Sequence, residues 1–170
     1  MKKLVSNINY YIFSFFIASI IGYFGELIYS LIVRNKLISP GVMLGPWCPI
    51  YGIATVIIFF MVSSKSNFVV NFIKIFLIVS IDEYFASFIA EEFFGNRIWD
   101  YSNNFFNIQG RVCLFMSLIF TIGGLVVLYF FKPLLDKVYN KFFNSIKFIN
   151  LVFASLFIAD IISKVLIKIF

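Results

Sequence analysis

The residues of this chain best equipped for chemistry are carboxylates and arginines set in or beside long apolar runs. Glu26 lies in the first run and Asp82, Glu83 and Glu91 in a later one. The stretch Arg97 to Cys113, RIWDYSNNFFNIQGRVC, adds Arg97, Trp99, Asp100, Tyr101, Asn107 and Arg111. An ionised carboxylate at the centre of a spanning helix costs about 2.5–3.5 kcal/mol on insertion scales, so Asp82 and Glu83, near the middle of their run, require compensation. Two arrangements supply it. One is a polar cavity, ion path or proton-carrying carboxyl; the other is a helix–helix hydrogen bond or internal ion pair that only holds the bundle together. Glu26 and Glu91 fall near the ends of their runs, within reach of Arg34, Arg97 or Arg111, where a bidentate arginine pair would clamp the interface. An arginine left over would suit a carboxylate or phosphate on a substrate or lipid head group.

The other polar and aromatic residues have double readings too. Trp47, Tyr51, Trp99 and Tyr101 either line a cleft or form the aromatic belt of a membrane interface. Asp100, Asn103, Asn104, Asn107 and Gln109 give the second loop unusual hydrogen-bonding capacity. Cys48 and Cys113 either form a disulfide between two loops on the oxidising face or are buried free thiols. The chain has no histidine, which removes imidazole catalysis, the commonest zinc ligand sets and histidine haem ligation. It has no G-x-x-x-x-G-K-[ST] motif, and Gly123-Gly124 fits close helix packing. No catalytic residue, metal ligand or cofactor is therefore expected. An enzyme would have to use Asp100 or Glu91 as acid or base with Arg111 on a phosphate.

The elements that must position these residues are membrane helices. Of 170 residues, 62% are hydrophobic and 13% charged, with a mean hydropathy of +0.99, too apolar for a water-soluble domain. At about 20 apolar residues per crossing, the chain is expected to be one all-α transmembrane domain, residues 1–170, of about five spans. The runs are Tyr10 to Val33, Ile50 to Val62, Phe68 to Phe94, Val112 to Phe131 and Phe148 to Phe170. The second is short and either crosses or re-enters. Pro133 should open a basic connector carrying Lys132, Lys137, Lys141 and Lys147, and Asp160 and Lys164 are spaced for an i, i+4 ion pair. The +6 net charge is spread over the ends of apolar runs, which fits topology control and not nucleic acid. With Lys2, Lys3, Lys65 and the connector on the cytoplasmic side, the N-terminus is cytoplasmic and both polar loops face outward.

Glu26 and Glu91, Gly45 and Gly110, and Cys48 and Cys113 are each separated by 65 residues without a gap. Either the chain contains a parallel duplication, with units 10–63 and 75–131 and an added helix 148–170, or the match is coincidence in a Phe- and Ile-rich sequence.

Two segments, GVMLGPWCPIYG at residues 41–52 and FGNRIWDYSNNFFNIQGRVCL at residues 94–114, resemble the CmpB-like permeases, the type IV ABC-transporter family of bacterial membrane proteins. The resemblance runs from about Gly22 through Pro133. Gly45, Pro46, Cys48, Pro49, Tyr51 and Gly52 fall on the first motif, and Trp99, Asp100, Tyr101, Asn107, Gly110, Arg111 and Cys113 on the second; Ile98 stands where an aromatic residue often precedes that Trp. The resemblance implies a polytopic protein of the bacterial plasma membrane that acts as a permease subunit. Its partners would be membrane lipids, further subunits in a homo- or hetero-oligomer, and a separate ATPase at the cytoplasmic side. The alternatives are a lipid-handling membrane enzyme and an envelope scaffold or regulatory subunit.

Overall fold

The computed structural model describes residues 2–95 and 97–169, without the side chains of residues 2–7, 34, 94, 168 and 169. Most of the described residues lie in six α-helices: α1 Lys2–Arg34, α2 Pro49–Met61, α3 Phe68–Phe94, α4 Leu114–Val126, α5 Lys132–Lys141 and α6 Phe143–Ile169. Three stretches, Ile8–Val33, Leu114–Lys141 and Phe143–Ile167, are long and apolar enough to cross a membrane. The fold is all-α, as the composition requires. At 13 residues, α2 is roughly 20 Å long, short of a hydrocarbon core of about 30 Å. α3 has the length of a span, 27 residues, but Lys74, Asp82, Glu83, Glu91 and Glu92 interrupt its apolar surface. Asn67 caps its start by accepting from the Val69 N–H at 2.8 Å. Gly95 ends it in the left-handed conformation at φ 75°, which glycine adopts without a Cβ clash.

The fourth run differs from the sequence expectation. Pro133 does not open a connector; the helix runs on to Lys141 through a π-helical turn, Val127–Phe131. Proline removes one backbone donor and crowds the carbonyl four residues back. The widened turn absorbs both effects, with the Lys132 N–H reaching the Val127 carbonyl.

The chain divides into two compact units, Met1–Gly52 with Lys137–Phe170, and Ile53–Asp136. In the first, α1 packs on α6. Phe16 meets Phe153 and Phe157 edge-on at 5.6 and 5.9 Å, and the Asn150 amide donates to the Asn9 carbonyl at 2.8 Å. In the second, α3 packs on α4 through fully buried Ile75, with Ile58 of α2 beside it. Gly124 makes the approach possible, because a Cβ there would lie 2.5 Å from Ile75 Cγ2. Between the helices Ser80 donates to Ser117 Oγ at 3.0 Å and Asn71 to the Tyr129 hydroxyl at 2.8 Å. Polar contacts of this kind, and close backbone approach, hold helices together where lipid offers no hydrophobic drive.

Candidate functional site

The site is built on α3. Ser80, Glu83, Ser87 and Glu91 follow an i, i+3, i+7, i+11 spacing, which places them on one helical face. That periodicity was present in the sequence, but the two serines are unremarkable as residue types. Glu83 is 1% exposed and Asp82 9%. The Tyr101 hydroxyl approaches the Glu83 carboxyl without reaching full hydrogen-bond geometry, and neither Glu83 oxygen has a partner that does.

Beyond Gly95 the chain turns back over the end of this face. Arg97 Nε donates to both Glu91 oxygens at 3.2 Å. Arg111 Nη2 meets Glu91 Oε2 at 2.5 Å, and its Nη1 lies 3.4 Å from Ser87 Oγ. Arg111 is itself buried, between the rings of Tyr84 and Phe88, whose centroids are 5.9 and 5.4 Å away. One carboxylate thus receives two guanidiniums, and Asp100 adds a second negative charge 3.8 Å from Arg97. The two arginine charges are matched within the loop and the end of α3. Glu83 receives none of that compensation.

The polar loop is a folded cap rather than an open connector. A two-stranded antiparallel hairpin pairs β1 Asn107–Ile108 with β2 Val112–Cys113, an element the sequence analysis missed. Its turn contains Gln109 and Gly110, both at positive φ. Any side chain at residue 110 would collide with Asp100 Oδ1 and Ser102 Oγ, each 2.5 Å from the position of its Cβ. Trp99 Nε1 donates to the Arg111 carbonyl at 2.8 Å, and the Tyr101 N–H to the Gly110 carbonyl at 2.8 Å. Asn107 donates to the Ser102 and Asn104 carbonyls and accepts from the Gly110 N–H. Asp100 Oδ1 accepts from the Ser102 N–H at 2.9 Å and its hydroxyl at 2.5 Å. Those bonds, ahead of the nearby Arg97 charge, hold the Asp100 carboxyl below the usual carboxylate range. Most polar residues of the second motif therefore fold the loop that delivers Arg111 and Tyr101 to α3.

The first-loop motif builds a different kind of site, in the other unit. Trp47 is buried among Phe16, Phe153 and Phe157, at 5.7–5.9 Å between ring centroids. It belongs to a core and not to the interfacial belt. Asp160 does not pair with Lys164; its two oxygens accept the Leu44 and Gly45 N–H groups at 2.9 and 2.8 Å. Backbone amides turned toward a carboxylate outcompete a flexible lysine on the same half-buried helix face. Gly52 lies against Ser19 and the Phe15 carbonyl, and Gly22 against the Tyr51 ring, leaving no room for a Cβ at either. Tyr51 donates its hydroxyl to Glu26, so Glu26 finds a tyrosine where an arginine was expected. The Arg34 side chain lies outside the described residues. Cys48 and Cys113 are buried free thiols. Burial, helped by the Glu26 charge, pushes the Cys48 thiol up to about 12.

Among the described residues no three His, Cys, Asp or Glu side chains are grouped to hold a metal ion. A predominantly helical fold with three helices long and apolar enough to cross a membrane defines a helical membrane protein. Over residues 13–165 the chain matches the family described as "Putative ABC-transporter type IV", and it belongs to that family. The match extends past the two motifs to residue 165 and so takes in Asp160. No curated protein and no solved structure matches the chain.

Proposed function

We propose that this protein is the permease subunit of an ABC transporter in a bacterial plasma membrane. The seam of α3 that carries Asp82 and Glu83 would serve as its polar site, and the Arg97 to Cys113 loop as the outward lid of that seam. The observation that carries this reading, beside the family, is the buried Glu83 carboxylate left without a cation while both neighbouring arginines are committed to Glu91. A carboxyl kept only as glue would be expected to have its partner. An acid–base enzyme is less well supported, since Asp100 is held by Ser102 and Glu91 by two guanidiniums.

In this reading the chain crosses the membrane about five times with its N-terminus in the cytoplasm, and it works as a homo- or hetero-oligomer surrounded by lipid. A separate ATPase docks on the basic stretch Lys132 to Lys147, where anionic lipid heads compete for the same lysines. The experiment is untargeted profiling of small molecules in cells and medium, comparing wild type, a deletion strain and Asp82→Asn. A permease predicts at least one solute whose distribution shifts in the deletion, with the same shift in an Asp82→Asn protein still present in the membrane. A deletion that leaves every solute distribution unchanged would refute it.

A further inference from the structure

We propose that Glu83 is a proton-binding site, carrying a proton on its carboxyl in the resting state and exchanging it with the loop side through the Tyr101 hydroxyl. Glu83 is the most deeply buried acidic side chain among the described residues, at 1% exposure, and neither oxygen has a hydrogen bond of full geometry. An ionised carboxylate so placed needs a cation or several donors.

The elements around it supply neither. α4, Leu114–Val126, contains no ionisable residue, and facing α3 it offers Ser117 and Thr121. These are already bonded, Ser117 to Ser80 and Thr121 to the Ser117 carbonyl. Residues 53–61 of α2 contain no ionisable residue either. The hairpin brings Cys113, a free thiol approached by Asn104, and just before it Arg111, whose guanidinium is directed to Glu91 and Ser87. α3 itself contributes Asp82 beside it, a second acid and not a cation. Of the hydroxyls around Glu83, the one that approaches its carboxyl is that of half-buried Tyr101 on the loop.

A proton satisfies these constraints where a metal cation does not. It needs no ring of ligands, and no grouping of three acidic or thiol ligands exists among the described residues. Tyr101 can relay it with atoms balanced: its oxygen accepts the carboxyl proton as its own hydroxyl proton passes to water at the loop, and reversal reloads the site. Tyr101 reaches α3 because its backbone is pinned to Gly110 and its neighbour Asp100 is held by Ser102. The second motif therefore fixes the position of the relay.

The proton site rests on the permease reading for what the proton is used for, but its chemistry requires no ATPase. The test is dicyclohexylcarbodiimide, which adds to a protonated carboxyl in apolar surroundings and leaves an N-acylurea on the side chain. The full-length protein in lipid nanodiscs would be treated at neutral pH and mapped by peptide fragmentation. The expected result is an adduct on Glu83 that declines as pH is raised. No adduct, or an adduct on Asp82 alone, would overturn the assignment, as would protection of Glu83 by Na+ or K+ at constant pH, which would mark a metal cation. The mapping uses the wild-type chain and does not depend on a variant folding. Tyr101→Phe should then slow hydrogen–deuterium exchange of the Glu83 carboxyl, followed by its infrared C=O band, at least tenfold; exchange at the wild-type rate would exclude Tyr101 as the route. An adduct on Glu83 in a protein that purifies without an ATPase would retain the proton site and discard the permease. An ATPase partner with no adduct would do the reverse.

Discussion

Gly123 and Gly124 are adjacent in α4 and have opposite surroundings, so one experiment on the pair measures what close packing of α3 and α4 is worth. A methyl group at Gly123 would meet nothing within 4 Å, whereas at Gly124 it would lie 2.5 Å from Ile75 Cγ2 and 3.2 Å from Ile58 Cδ1. Ile75 and Ile58 are 0% and 1% exposed and β-branched, so neither can swing aside without entering another neighbour. Gly→Ala gains helix propensity of about 0.8–1.0 kcal/mol at either position. That gain cancels when the two variants are compared. Overpacking a tight core costs about 1–3 kcal/mol, so Gly124→Ala should be less stable than Gly123→Ala by that amount. The assay is thermal unfolding of both purified variants in one detergent, followed by retention of the monodisperse peak. Gly123→Ala should equal or exceed wild type and Gly124→Ala should fall below it. Equal stabilities would refute the close helix contact, and with it the register that sets Ser80 against Ser117 and Glu83 on the buried face of α3.

Asp160→Asn weakens the clamp on the first loop. Hydrogen bonds to charged groups contribute about 1.5–3 kcal/mol, and amide exchange at Leu44 and Gly45 should accelerate by tenfold or more while α3 keeps its protection. Cys48 and Cys113 should resist maleimide in the folded protein at neutral pH, because the reactive species is the thiolate and burial holds the Cys48 thiol up at about 12. Denaturation without reductant should release two adducts by mass; none would reveal a disulfide. The Asp100 carboxyl is held below its ordinary 3.8, so its contribution is complete above that value and is lost as pH falls through the lower folded value. Exchange protection of the 97–113 loop should therefore decline on acidification below 3.8, and Asp100→Asn should reduce this acid limb, leaving the part that the Glu91 carboxylate contributes through Arg97 and Arg111.

Legibility in the sequence followed the range of each interaction. The bounds of α3 could be read directly, because Asn67 and Gly95 are local start and stop signals at the ends of a long apolar run. The extension of α4 through Pro133 could not, since proline reads as a helix breaker and the compensating π turn, Val127–Phe131, is built upstream of it from residues that carry no local signal. The hairpin at Asn107 to Cys113 had a partial signal in Gln109-Gly110 between β-branched Ile108 and Val112, which the polar composition of the loop obscured. Asp160 illustrates the limit. Lys164 is its obvious partner in sequence, but its actual partners lie 116 and 115 residues away, and local spacing carries no information about them. Glu26 was expected near arginine and is bound by Tyr51, again across a loop whose path only the fold sets.

The most direct measurement of the central claim is mass spectrometry of the protein purified gently from its native membrane, quantifying every protein and lipid that accompanies it. A permease subunit predicts a stoichiometric ATPase whose hydrolysis depends on this chain. Lipid alone, or an envelope protein with no ATPase, would contradict the account and reassign the folded loop and the α3 seam to lipid handling or scaffolding.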